Sequence, residues 1–125
     1  MNDYNEILKV MDESYIEGIH RQGNRELIEK HFHNDFSMFL KDDKSEVTIM
    51  KIQEWIEKIE AKKLENPDSY KNRNVDYTVK HVQIHESFAT LLLDLYYDNK
   101  LYAVDHFSLY KLNGEWKIMA KVYHM

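Results

Sequence analysis

The dipeptide Asn113-Gly114 separates two alternating apolar runs, and a two-residue hairpin turn needs positive φ at both central positions, which Asn and Gly tolerate. It closes a β-hairpin and fixes its register, so each side chain is assigned to a face. In that register Leu109 faces Ile118, Phe107 faces Ala120, Asp105 faces Val122 and Ala103 faces His124. One face is then an apolar wall of Phe107, Leu109, Trp116, Ile118, Ala120 and Val122, with Asp105 and His124 at its far end. The other carries His106, Ser108, Tyr110, Lys117, Met119, Lys121 and Tyr123. Asp105 is the anomaly, because an ionised group removed from water is costly unless it is paired or neutralised.

A chain of 125 residues with three glycines, one proline and no low-complexity tract reads as one folded domain over 1–125. Its 22 acidic residues outnumber 17 basic ones, and the basic residues are scattered among the acidic, which argues against a nucleic-acid partner. The segment Met1 to Glu13 is polar and net acidic, and apolar runs such as Leu91-Leu92-Leu93 are short. Neither a secretory leader nor a membrane span is expected, and the reading is a soluble cytoplasmic protein. The absence of cysteine excludes disulfides, thiolate chemistry and Cys-based zinc sites.

The first helix starts after Asn2 or Asp3, with Glu6 placed as in a capping box and Leu8, Met11, Tyr15 and Ile19 on the inward stripe. Gly23-Asn24 ends it and caps a second helix, Arg25 to His31. A short strand, Phe36 to Leu40, leads to the charged turn Lys41-Asp42-Asp43-Lys44. Thr48 is placed to cap a third helix, in which Ile49, Ile52, Ile56 and Ile59 recur at helical spacing, until Asn66-Pro67-Asp68 breaks the pattern. Strands follow at Val75 to His85, Phe88 to Tyr97, Leu101 to Leu112 and Glu115 to His124. Helices followed by antiparallel strands make an α+β domain, its sheet bent around the helices. The face of Asp94 depends on whether Asp98-Asn99-Lys100 leaves two or three residues unpaired, and the sequence leaves that open.

Several segments together carry a family resemblance. They are Tyr15-Ile16-Glu17-Gly18-Ile19-His20 with Gly23, Leu27 to Phe39, Glu54-Trp55-Ile56, Asp105-His106-Phe107-Ser108-Leu109, and Gly114-Glu115-Trp116-Lys117-Ile118 through Lys121-Val122-Tyr123-His124. In this order they resemble the NTF2-like superfamily, and within it the subfamily labelled putative lumazine-binding, related to SnoaL-like and ketosteroid isomerase-like proteins. The resemblance implies an NTF2-like cone: three N-terminal helices packed on a strongly curved, mostly antiparallel sheet, with a mouth able to hold a small ligand.

It also gives Tyr15 and Asp105 a meaning. They match the helix-one tyrosine and the protonated strand aspartate that form an oxyanion hole in ketosteroid isomerases. The isomerase's general-base aspartate has no counterpart, since Leu40 aligns there, with Asp42 and Asp43 two and three residues late. The competing account of the pair is a buried hydroxyl satisfied by a carboxylate.

The other polar candidates are weaker. His124 beside Asp105 has the form of an oriented base, but no serine or threonine is placed as a nucleophile. His31 and His33 share a face only if the helix has ended before them, and His81 and His85 lie about 13 Å apart at strand rise, so no metal site is expected and no cofactor is implied.

Tyr15, Phe36, Phe39, Trp55, Phe107 and Trp116 would line the cone or serve as plain core. Tyr102, Tyr110, Met119 and Tyr123 on the opposite hairpin face are typical of an interface, and the resemblance implies a homodimer through it. The leading reading is a binding protein for a small, partly aromatic molecule, gripped by Tyr15 and Asp105 with His124 at the rim. The rival is a SnoaL-like or ketosteroid isomerase-like enzyme, an isomerase, cyclase or dehydratase, using Asp105 with His124 or His33 as acid and base.

Overall fold

The structure, a computed structural model, describes residues 2–124, apart from the side chain of His124. Helix α1 (Asp3–Val10) is capped by Asn2, whose side chain accepts the Asn5 N–H at 2.8 Å, so the cap is Asn2 and not an Asp3–Glu6 box. It runs on without a break through Met11–Gln22, where the turns widen to the π type, and Gly23 ends it at φ 57° with its N–H on the Gly18 carbonyl. A Cβ on Gly23 would lie 2.9 Å from the Tyr70 ring, so this position requires glycine for space as well as for backbone. Asn24 caps α2 (Arg25–His31).

Strands β1 (Phe32–Lys41) and β2 (Val47–Lys51) pair antiparallel before α3 (Ile52–Glu65) begins. Two expectations are corrected here. Thr48 is not a helix cap but stands opposite Leu40 in β2, and Ile49 is exposed rather than on the buried stripe, because the β-branched run Val47-Thr48-Ile49 pairs with β1 instead of extending the helix. The helices are therefore not all N-terminal: two strands precede the third.

The remaining strands are β3 (Val75–His85), β4 (Phe88–Tyr97), β5 (Lys100–Leu112) and β6 (Glu115–His124). The six form one open mixed sheet in the order β2-β1-β6-β5-β4-β3, antiparallel except for the parallel β1–β6 pair. Ile7, Met11 and Ile16 of the first helix pack with Ile52 and Ile56 of α3 into the same buried core as Leu91, Leu93, Phe107 and Leu109 of the sheet. The architecture is α+β. Among the described residues no helix is long and apolar enough to cross a membrane.

Asn113 (φ 52°) and Gly114 (φ 81°) make the turn, and Leu109 pairs with Ile118 as the sequence requires. Beyond that point the register slips. One extra residue in β6 brings Ser108 opposite Ala120, Phe107 opposite Lys121, Asp105 opposite Tyr123 and Val104 opposite His124. A β-bulge of one residue reverses every face after it. Lys121 and Tyr123 accordingly turn toward the helices, while Val122, expected inside, is 54% exposed and Ala120 is only half-buried.

A second bulge acts at the other end of β5, where Leu95 pairs with Ala103 but Tyr96 with Leu101, leaving Tyr102 as the extra residue. The β4–β5 turn consists of Asp98 and Asn99, both at positive φ, and Asp94 falls on the outer face with Lys80 3.6 Å away.

Candidate functional site

Tyr15 donates its phenolic proton to Oδ2 of Asp105, which has no exposed surface. The first helix presents Tyr15 and the hairpin presents Asp105, so the contact depends on the helix lying across the sheet. The bulge in β6 supplies a third member: Lys121 Nζ is 3.5 Å from Asp105 Oδ1, and its side chain is 5% exposed. The ammonium also sits over the rings of Tyr123 (4.3 Å), Trp55 (4.9 Å) and Tyr15 (5.0 Å). Rings offer their negative faces to a desolvated cation, so the cage and the carboxylate together replace the water that Lys121 has lost.

Burial raises the Asp105 carboxyl above its ordinary range, opposed by the charge of Lys121 and by the Tyr15 hydrogen bond. Burial likewise lowers Lys121 to about 8 against the upward pull of Asp105. For both groups loss of water outweighs mutual attraction, which leaves Lys121 able to change charge near neutral pH. Burial first, then the neighbouring Asp105 charge, pushes the Tyr15 phenol well above its ordinary value, so it stays a proton donor.

A second polar chain runs beside this one. Arg73 stacks on Tyr70 at 3.7 Å, and its Nη1 donates to the His20 carbonyl at 3.0 Å and to the Tyr97 hydroxyl at 3.4 Å. The Tyr97 hydroxyl lies 2.6 Å from His20 Nδ1, and the His20 ring meets Tyr15 edge-on at 4.6 Å. Burial, then the charges of Lys121 and Arg73, hold His20 well below its usual value, so the imidazole is neutral.

These groups surround two pockets that share lining residues. The smaller, about 150 Å³, reaches Tyr15, Ala103 and Lys121. The larger, about 510 Å³, opens past Lys58, Lys62, Tyr70, Arg73 and Tyr97. His20, Met38, Trp55, Tyr102 and Tyr123 line both.

The residues singled out in the sequence distribute unevenly around them. Tyr15 and Trp55 line a pocket; Asp105 does not, lying behind Tyr15 and Lys121 as the acceptor that holds both. Phe36 and Phe107 line neither pocket, being buried core against Trp55 and Tyr15 respectively. Trp116 lines neither either: its indole N–H donates to Asp3 at 3.0 Å, beside the start of α1. His124 as a rim residue rests on a side chain outside the described residues. His33 turns to Asp35 and lines neither pocket. Of the four residues assigned to an outer interface, Tyr110 is exposed there and Met119 is the half-buried extra residue of the β6 bulge, while Tyr102, also exposed, and Tyr123 line the pockets. Among the described residues no three His, Asp or Glu side chains stand close enough to hold a metal.

Lys121, His20, Arg73 and Tyr97 are the site residues that sequence reasoning missed. For Lys121 a signal existed: a buried carboxylate demands a counter-charge, and this lysine is the cation nearest Asp105 across the hairpin. Strict alternation placed it on the wrong face, and nothing in Ile118-Met119-Ala120 announces a bulge. His20 and Arg73 are 53 residues apart and meet through a backbone carbonyl, which no local pattern encodes.

A family model described as "Putative lumazine-binding" matches residues 2–124. Solved structures similar to this chain include an NTF2-like protein of unknown function from Shewanella baltica OS155, at 20% identity and a TM-score of 0.76, covering 98% of this chain and 92% of that one. Another, from Silicibacter pomeroyi DSS-3, has 19% identity and a TM-score of 0.77, covering 99% and 98%. A third, from Methylobacillus flagellatus KT, has 22% identity and a TM-score of 0.71, covering 98% and 90%. No curated protein matches the chain.

Proposed function

Since the chain belongs to the NTF2-like family described as putative lumazine-binding, we propose that it binds a small, partly aromatic molecule in the paired pockets between helix and sheet. The observation that carries this reading is the aromatic lining, Trp55, Tyr97, Tyr102 and Tyr123, converging on the Tyr15–Asp105–Lys121 unit. Apolar walls with a few fixed polar groups are the usual form of a small-molecule site. Flat rings stack on such walls, and the polar unit fixes their orientation.

The test is a thermal-shift panel of flat heterocycles, lumazine included. Wild-type protein should gain stability with at least one compound, and Trp55→Ala and Tyr15→Phe should lose most of that gain relative to their own ligand-free baselines. If no compound shifts the wild type, the reading is wrong.

An enzymatic reading draws on one observation, a titratable amine 3.5 Å from Asp105. It is the weaker of the two, because Asp105 lies behind Lys121 rather than on a pocket wall, and among the described residues no carboxylate lines either pocket.

A homodimer through the outer sheet face belongs to the same proposal, with its contacts revised. The apolar groups presented there are Val122, Tyr110 and Phe88, the last two in mutual ring contact at 5.8 Å.

A further inference from the structure

Every charged group that lines the two pockets is a cation. Their lining includes Lys58, Lys62, Arg73 and Lys121 and no aspartate or glutamate, in a chain whose net charge is −5. Lys121 is matched by Asp105 behind it; among the described residues the other three have no carboxylate partner. Of the three arginines, Arg21 and Arg25 each hold carboxylates, whereas Arg73 has none among the described residues, and neither Lys58 nor Lys62 forms an ion pair there. The guanidinium of Arg73 spends Nε and Nη1 on Ser69, His20 and Tyr97, leaving Nη2 without a protein acceptor among the described residues.

Hydrogen-bond polarity leads the same way. Arg73 can only donate, so Tyr97 accepts from it, and the Tyr97 hydroxyl proton is free for His20 Nδ1 2.6 Å away. A neutral imidazole that accepts at Nδ1 carries its proton on Nε2, and Nε2 is buried with no acceptor. The pocket wall thus holds an unspent N–H donor beside unpaired cations, with an aromatic floor.

We propose that the ligand is a planar aromatic carboxylate, its ring against Trp55 and the tyrosines and its anion toward Arg73, Lys58 and Lys62. This rests on the small-molecule reading above and narrows it. A carboxylate suits the pocket because one of its oxygens can accept from Arg73 Nη2 while the ammonium groups of Lys58 and Lys62 complete the neutralisation. A neutral ring of the same shape would stack equally well but leave those charges to water alone.

The experiment is calorimetric titration with 4-hydroxybenzoate and with its neutral counterpart 4-hydroxyacetophenone, at low and at physiological salt. The carboxylate should bind at least about tenfold more tightly at low salt, and added salt should erode that margin while leaving the ketone unaffected. Arg73→Gln should bring the two compounds close to parity. Should Arg73→Gln fold poorly, the Lys58→Gln/Lys62→Gln double variant, on the exposed side of α3, should cut carboxylate affinity several-fold and leave the ketone unchanged, with the Lys9→Gln/Lys44→Gln double variant, away from both pockets, as the net-charge control. Equal affinity of the two compounds for wild type would overturn the anion assignment and leave the binding reading standing. Failure of both compounds to bind while a heterocycle of the panel still does would overturn the anion assignment alone; failure of every compound would overturn both.

Discussion

The phenolic proton of Tyr15 is donated to the carboxylate of Asp105, 90 positions further along the chain, where no surface of either side chain is exposed. That contact ties the first helix to the fifth strand, and Lys121 closes the unit from the sixth. Its energetics are those of a buried network, in which removing one member harms more than removing two.

Asp105→Asn should therefore destabilise the fold by about 3–5 kcal/mol, because it leaves a desolvated ammonium without its counter-charge. Lys121→Met, which keeps the volume, should cost less, since Asp105 can take up a proton and keep its bond to Tyr15. The Asp105→Asn/Lys121→Met double variant should be more stable than the sum of the singles implies, by at least about 1 kcal/mol. Urea unfolding of the four proteins measures this cycle, and strict additivity would show that the two charges do not interact.

The pH dependence has a definite sign. Lys121 titrates near 8 in the folded state and near 10.5 when unfolded, so between those values the unfolded chain binds more protons and stability rises with pH. The slope is up to roughly 1 kcal/mol per pH unit between pH 8 and 10, and it should vanish in Lys121→Met. His20 acts at the other end: its folded-state value is lowered, so its contribution is present above pH 6.5 and lost as the pH falls below it. Chemical denaturation at stepped pH reads both. A wild-type curve flat from pH 8 to 10 would contradict the depressed lysine.

The two tryptophans should separate function from stability. Trp55 lines both pockets, and Trp116 is 2% exposed at the other end of the hairpin with its indole bonded to Asp3. Trp116→Phe should lower stability by about 1–3 kcal/mol and leave ligand affinity unchanged. Trp55→Ala should abolish binding while the protein stays folded, as circular dichroism would report.

Val122→Lys tests the proposed dimer. With Val122 on the outer face, a charge there should shift sedimentation from dimer to monomer without affecting the pockets. Unchanged sedimentation of a wild-type dimer would place its contact elsewhere.

Much of this fold was legible because local chemistry decided it. Asn113-Gly114 forced the hairpin, Gly23-Asn24 punctuated two helices, and alternation marked four strands within a residue or two. The inward stripe of the first helix put Tyr15 in the core, and the hairpin put Asp105 opposite it. What escaped was non-local. The extra residue in β6 is stabilised by what it delivers, Lys121 into the aromatic cage, and the one in β5 by turning Tyr102 to the pocket; neither gain is visible within its own strand. Thr48 misled for the opposite reason, being a sound cap by local preference that the edge of β1 recruited into a strand.

The central claim is that a small molecule occupies the pocket floored by Tyr15, Trp55 and Lys121. The most direct measurement follows the indole N–H resonances of Trp55 and Trp116 by two-dimensional NMR during titration with lumazine and with 4-hydroxybenzoate. The account predicts that the Trp55 resonance moves with at least one compound while that of Trp116 stays in place. Movement of Trp116 alone, or of neither, would contradict it.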